Sequence, residues 1–178
     1  ISAQVYALLL SMFETVEQSS IDDFYIDATK EVAEWDGDED EVDEAIAITK
    51  VVDGVYVNEK GGEEREEKSE NEMERKQRGE GGEGDAYTSV KIEEERAIGC
   101  VLALRMRERV MSTLGMSISV GISGGKTVSR LLSPLNKPDG QTSIRAEYEV
   151  EFLSTFRIRD FPYLTKEVEQ RLSSLFGI

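Results

Sequence analysis

The chain has 178 residues with 37 acidic and 21 basic side chains, a formal net charge of −16, one cysteine and no histidine. That composition excludes an internal disulfide, a His/Cys zinc site and any Ser-His or Cys-His catalytic pair within the chain, so a metal here must be a hard cation held by carboxylates. No apolar run approaches the roughly 18 residues that span a bilayer, and the first residue, Ile1, is followed by no signal peptide, so the stretch reads as a piece of a longer chain.

The apolar run Ala3–Phe13 predicts a helix with an inward face, and Ile21, Phe24, Tyr25 and Ile26 predict a hairpin over residues 16–28. Residues 1–29 carry five acids and no base. Residues 30–96 carry 24 acids and 10 bases with repeated glycine and almost no aromatics. Such a block buries too little apolar surface to offset its ordering entropy, and it reads as an acidic, largely disordered insertion. A partner-binding tail or a nucleic-acid mimic is the functional alternative. Within it, residues 48–57 could pair as two short strands across Asp53-Gly54.

Beyond the block the balance turns basic, with eight acids and 11 bases in residues 97–178. Val101, Leu104, Met106, Val110, Met111 and Leu114 predict a helix over 98–114, ended by Gly115. Residues 116–123 alternate and predict a strand. A helix follows from about Ser123–Lys126 to Leu135, then a short strand over 141–145 and helices over 149–156 and 166–176. The order suggests an α+β fold with an antiparallel or mixed sheet backed by helices.

Asp22 and Asp23 are adjacent at a turn or strand edge. Close carboxylates repel, and a divalent cation relieves that repulsion, so the pair is a candidate Mg²⁺ site; two solvated turn aspartates are the plainer reading. Gly121-Ile-Ser-Gly-Gly-Lys126-Thr127 follows a strand and opens a helix, as a phosphate-binding P-loop does, but its spacing is one residue short. Lys126, Arg130 and Lys137 recur along the following helix and turn. They suit a polyanionic substrate, or else form a solvated face.

Three segments together carry a family resemblance. VEQSSIDDFYIDAT (16–29), the stretch 99–144 with its SVGIS strand, basic helix and Asn136-Lys137-Pro138…Gln141-Thr142, and FLSTFRIRDF (152–161) stand in the order of the Y-family translesion DNA polymerases. The chain resembles the polymerase eta branch most, then kappa and the bacterial DinB-like enzymes. The resemblance implies a palm in two parts, 1–29 and 97–146, divided by the insertion 30–96, with 147–178 starting a helical, helix-hairpin-helix-like thumb. It implies two-metal, template-directed nucleotidyl transfer for DNA damage bypass. Asp22 and Asp23 would be the catalytic, Mg²⁺-binding acids, Lys137 would contact the nucleotide triphosphate, and Arg130 and Lys126 would contact DNA. Two Mg²⁺ ions, primer–template DNA and a dNTP are the implied partners, with a sliding clamp reached through other regions. A nucleus is the implied location and a membrane is not. Asp23 stands where the family has glutamate, Arg130 where lysine is usual, and Tyr163 and Thr165 occupy the thumb turn. A non-catalytic relic serving as a DNA- or protein-binding scaffold is the second reading, and a P-loop NTPase the third.

Overall fold

The computed structural model describes residues 1–53, 83–161 and 164–177. Helix α1 (Ser2–Leu10) leads into strands β1 (Thr15–Gln18) and β2 (Phe24–Asp27), which pair antiparallel with Val16 opposite Ile26 and Glu17 opposite Tyr25. Side chains alternate faces along a strand. Val16, Phe24 and Ile26 therefore turn to one side, against Val5, Leu9, Phe13 and Met106, and Glu17 and Tyr25 turn to the other.

Helices α2 (Thr29–Ala33) and α3 (Glu39–Ile48) follow, then strand β3 (Lys50–Val52) and the long helix α4 (Glu83–Leu114). Strand β4 (Val120–Ile122), helix α5 (Lys126–Leu132) and strand β5 (Gln141–Ile144) form a parallel crossover unit. The strand order is β3-β5-β4, parallel throughout, with all four residues of β5 buried. A central parallel strand covered on both faces is expected to be buried in this way. On one face Val52, Val128, Leu131, Leu132, Ile144 and Phe152 form a core that joins α5 to helix α6 (Glu149–Ser154). At the seam between α3 and α4, Ala45, Cys100 and Val101 are buried with Trp35, Val42, Leu104 and Ile122 packed around them. Burial pushes the Cys100 thiol pKa up. Helix α7 (Lys166–Phe176) is the last of the described helices, with Thr165 as its N-cap and Gly177 in the left-handed conformation after it.

The expected helix-backed sheet is present, as an antiparallel hairpin and a separate parallel sheet. The expected disordered block over 30–96 needs correction in its flanks. Residues up to 53 form α2, α3 and β3, and α4 begins at Glu83 rather than near 98. Composition hid this because α3 needs only Val42 and Ala45 on its inner face. Its acids lie outward or in the first turn, where the helix dipole favours them and Asp38 accepts from the Glu41 N–H at 3.0 Å. The hairpin anticipated across Asp53-Gly54 lies partly outside the described residues. Lys50–Val52 pairs instead with β5. The strand over 116–123 contracts to Val120–Ile122, the residues that pair with Gln141–Ser143 of β5, while Met116 and Ile118 pack into the core beneath the hairpin.

Candidate functional site

The turn between β1 and β2 is built around Ser20. The Asp23 carbonyl accepts from the backbone N–H groups of Ser19 (2.9 Å) and Ser20 (3.3 Å). Ser20 Oγ accepts from Asp23 N (3.1 Å) and lies 2.7 Å from Asp22 Oδ1 and 3.1 Å from Asp23 Oδ2. Its single proton serves either carboxylate, so both acids converge on one hydroxyl. The turn thus cancels the alternation that would send neighbouring strand residues to opposite faces. Asp22 is exposed and Asp23 is partly buried.

The outward face of the hairpin meets α5 through two ion pairs. Lys126 Nζ lies 2.6 Å from Glu17 Oε2 and 4.4 Å from the centre of the Tyr25 ring. One helical turn on, the Arg130 guanidinium pairs with the Asp23 carboxylate. The Arg130 hydrogen bond holds the Asp23 carboxyl below its usual range. Burial opposes that shift, and Ser20 and the charges of Arg130 and Lys137 add to it. The structure therefore brings Asp22, Asp23, Arg130 and Lys137 to one open cleft of about 1530 Å³, and Lys126 lines it too. Lys137 makes no ion pair among the described residues.

Lys126 is engaged by Glu17 and Tyr25 rather than folded back over the Ser123–Gly125 turn. Gly121, the first glycine of the P-loop-like run, serves packing: a Cβ there would lie 2.0 Å from the Ser129 carbonyl oxygen. Tyr163 of the thumb turn lies outside the described residues, and Thr165 caps α7.

The donor set suits a hard divalent cation, since Asp22 and Asp23 present carboxylate oxygens gathered at one point. Among the described residues no group of three or more His, Cys, Asp or Glu side chains forms a full metal cage. The two aspartates would hold part of a coordination shell that phosphate oxygens and water complete. Sequence reasoning missed Ser20 and Glu17. A serine two and three residues ahead of the acids is the signal for the first, by the local hydroxyl-to-backbone turn. The second is visible only once α5 is packed.

The profile of the IMS: impB/mucB/samB family matches residues 1–134. DNA polymerase IV of Nitrosopumilus maritimus (strain SCM1) is 32% identical over 96 residues, covering 53% of this chain and 26% of the relative. DNA polymerase IV of Dehalococcoides mccartyi (strain BAV1) is 34% identical over 74 residues, covering 42% and 19%. The chain thus spans about a quarter of the length of the curated relatives it matches. Two solved structures share the fold: an insertion ternary complex of Dbh DNA polymerase (TM-score 0.54, 17% identity) and DinB from Sulfolobus solfataricus (TM-score 0.52, 16% identity). Each alignment covers 98% of this chain and 33% of the other. These relatives are polymerase IV enzymes rather than polymerase eta. On the profile match, the chain belongs to the impB/mucB/samB (IMS) family, the Y-family domain that its sequence resembles.

Proposed function

We propose that this chain forms palm and early-thumb segments of a Y-family translesion DNA polymerase that transfers nucleotides to a primer under template direction. The observation that carries the reading is the convergence of Asp22 and Asp23 on Ser20, facing the cationic side chains of Arg130 and Lys137 across one cleft. The names of the relatives support it and favour the polymerase IV branch over an eta-like one. The nuclear location goes with the eta-like branch, and these relatives, archaeal and bacterial, lend it no support.

Magnesium, when bound, supplies activation of the attacking oxygen and charge stabilisation of the leaving one. Asp22 and Asp23 would contribute carboxylate oxygens toward it. Lys137 offsets the charge of the nucleotide's triphosphate. Arg130 holds Asp23 in place in the free protein and can turn to phosphate oxygens once that carboxylate is otherwise engaged. In the reaction the primer 3′-oxygen bonds to the α-phosphorus and the bond to pyrophosphate breaks. Asp22→Ala in the full-length protein is expected to lower primer extension by roughly 10³-fold or more while leaving binding to primer–template DNA in place. Undiminished extension refutes the assignment.

One feature favours the scaffold reading: Asp23 is a methylene shorter than the family's glutamate and is tied to Arg130. Under that reading the full-length wild-type protein extends no primer and still binds DNA.

A further inference from the structure

The segment between α5 and β5 carries Lys137, and contacts from outside the segment set its shape. Asn136 Nδ2 donates to the Gln141 carbonyl (3.3 Å), closing the loop on itself. A Cβ on Gly140 would stand 2.0 Å from the Asn136 carbonyl oxygen, so the closure needs glycine there. From β4, Val120 N donates to the Gly140 carbonyl (3.0 Å), and Ser119 Oγ accepts from Gly140 N (3.4 Å).

The remaining hold comes from α4. The Arg107 guanidinium donates to the Asp139 carbonyl, to the Asp139 carboxylate (3.1 Å) and to Gln141 Oε1 (3.1 Å). Gln141, fully buried, donates in turn to Thr49 Oγ1 (2.7 Å) and to the Cys100 carbonyl (3.0 Å). The Arg107 side chain is 13% exposed, and its Nε is buried without a partner, so the group is held through its two terminal nitrogens. A planar guanidinium fork that grips two points of a loop fixes direction as well as distance.

Two consequences bear on Lys137. Met106, next to Arg107 on α4, packs in the core beneath the acid-bearing hairpin. One turn of α4 therefore references both the hairpin and the loop. The Asp139 carboxylate, two residues from Lys137, is occupied by Arg107, and Lys137 lines the same cleft as Asp22 and Asp23.

We infer that Arg107 is a positioning residue for Lys137: by clamping Asp139 and Gln141 it directs the Lys137 ammonium toward the Asp22/Asp23 cleft, and so governs affinity for the triphosphate of the incoming nucleotide. The inference rests on Lys137 contacting that triphosphate. Single-nucleotide insertion by the full-length protein separates the nucleotide Kd from the maximal rate. Arg107→Gln is expected to raise Kd about tenfold with the maximal rate changed by less than about twofold, and Arg107→Lys to recover part of the loss. In a Lys137→Ala background, Arg107→Gln is expected to shift Kd by less than about twofold, because the side chain it acts through is gone. Equal Kd effects in both backgrounds, no Kd effect, or a fall in maximal rate with Kd unchanged would overturn the inference and leave Lys137's role standing. A Lys137→Ala protein with unaltered Kd refutes that role first, and the inference with it. If Arg107→Gln does not fold, Asp139→Ala, at a half-exposed site, takes its place with the same outcomes.

Discussion

Asp160 shows how a single carboxylate closes a 3₁₀ turn. Its Oδ2 accepts from Arg157 N (3.1 Å) and Arg157 Nε (3.2 Å), closing the 3₁₀ turn Ile158–Asp160. The Arg157 side-chain hydrogen bond holds the Asp160 carboxyl below its usual range, against a smaller opposing effect of burial. A lowered folded-state pKa means stability that is complete above the unfolded value, about pH 4, and is lost as pH falls through the folded value. Asp160→Asn is therefore expected to cost about 0.5 kcal/mol at pH 7, a modest figure because the pair is partly exposed. It is also expected to flatten the acid limb of a stability-against-pH curve measured by urea unfolding. An unchanged acid limb would show that the pair contributes nothing. Asp23 obeys the same physics, and its neighbour Ser20 supplies what sequence reading could not see. Two adjacent aspartates are legible as a candidate pair, whereas their convergence depends on one hydroxyl and the turn it closes.

At the scale of elements, β4 and α5 lie so close that backbone meets backbone at Gly121. A Cβ there would stand 2.0 Å from the Ser129 carbonyl oxygen and 2.7 Å from Ser133 N, neither of which belongs to a flexible side chain. Gly121→Ala is expected to destabilise the protein by about 3 kcal/mol, read as a lowered urea midpoint. A loss under about 0.5 kcal/mol would mean that the strand and helix separate freely. The same contact explains why a glycine-rich run resembles a phosphate loop in sequence while serving helix–strand packing in space. The hairpin, the helix ended by Gly115 and the β4–α5–β5 order were readable because period-2 and helical patterns are local. Helix α3 was not. Its inner face offers only Val42 and Ala45 amid acids, and its order comes from Cys100, Val101 and Leu104 about sixty residues away on α4. Arg107 likewise carries no local signal, since its partners Asp139 and Gln141 lie beyond a strand and a helix.

At the scale of the whole molecule, α4 is the shared wall. It touches α1, α2, α3, β4 and β5, so the hairpin core and the sheet core are joined through it. Its acidic partner segments are held by Arg105, which pairs with Glu41 at 2.6 Å and lies over the Trp35 ring at 4.7 Å. Among the described residues no helix is long and apolar enough to cross a membrane. Midway along it sits Cys100, with none of its surface exposed. That placement makes the molecule its own opening gauge. An alkylating reagent reaches the sulfur only when the packing around α4 opens, so modification is expected to track cooperative unfolding and to keep pace with the urea transition seen by circular dichroism. Rapid labelling under fully native conditions would reveal that the wall breathes on its own.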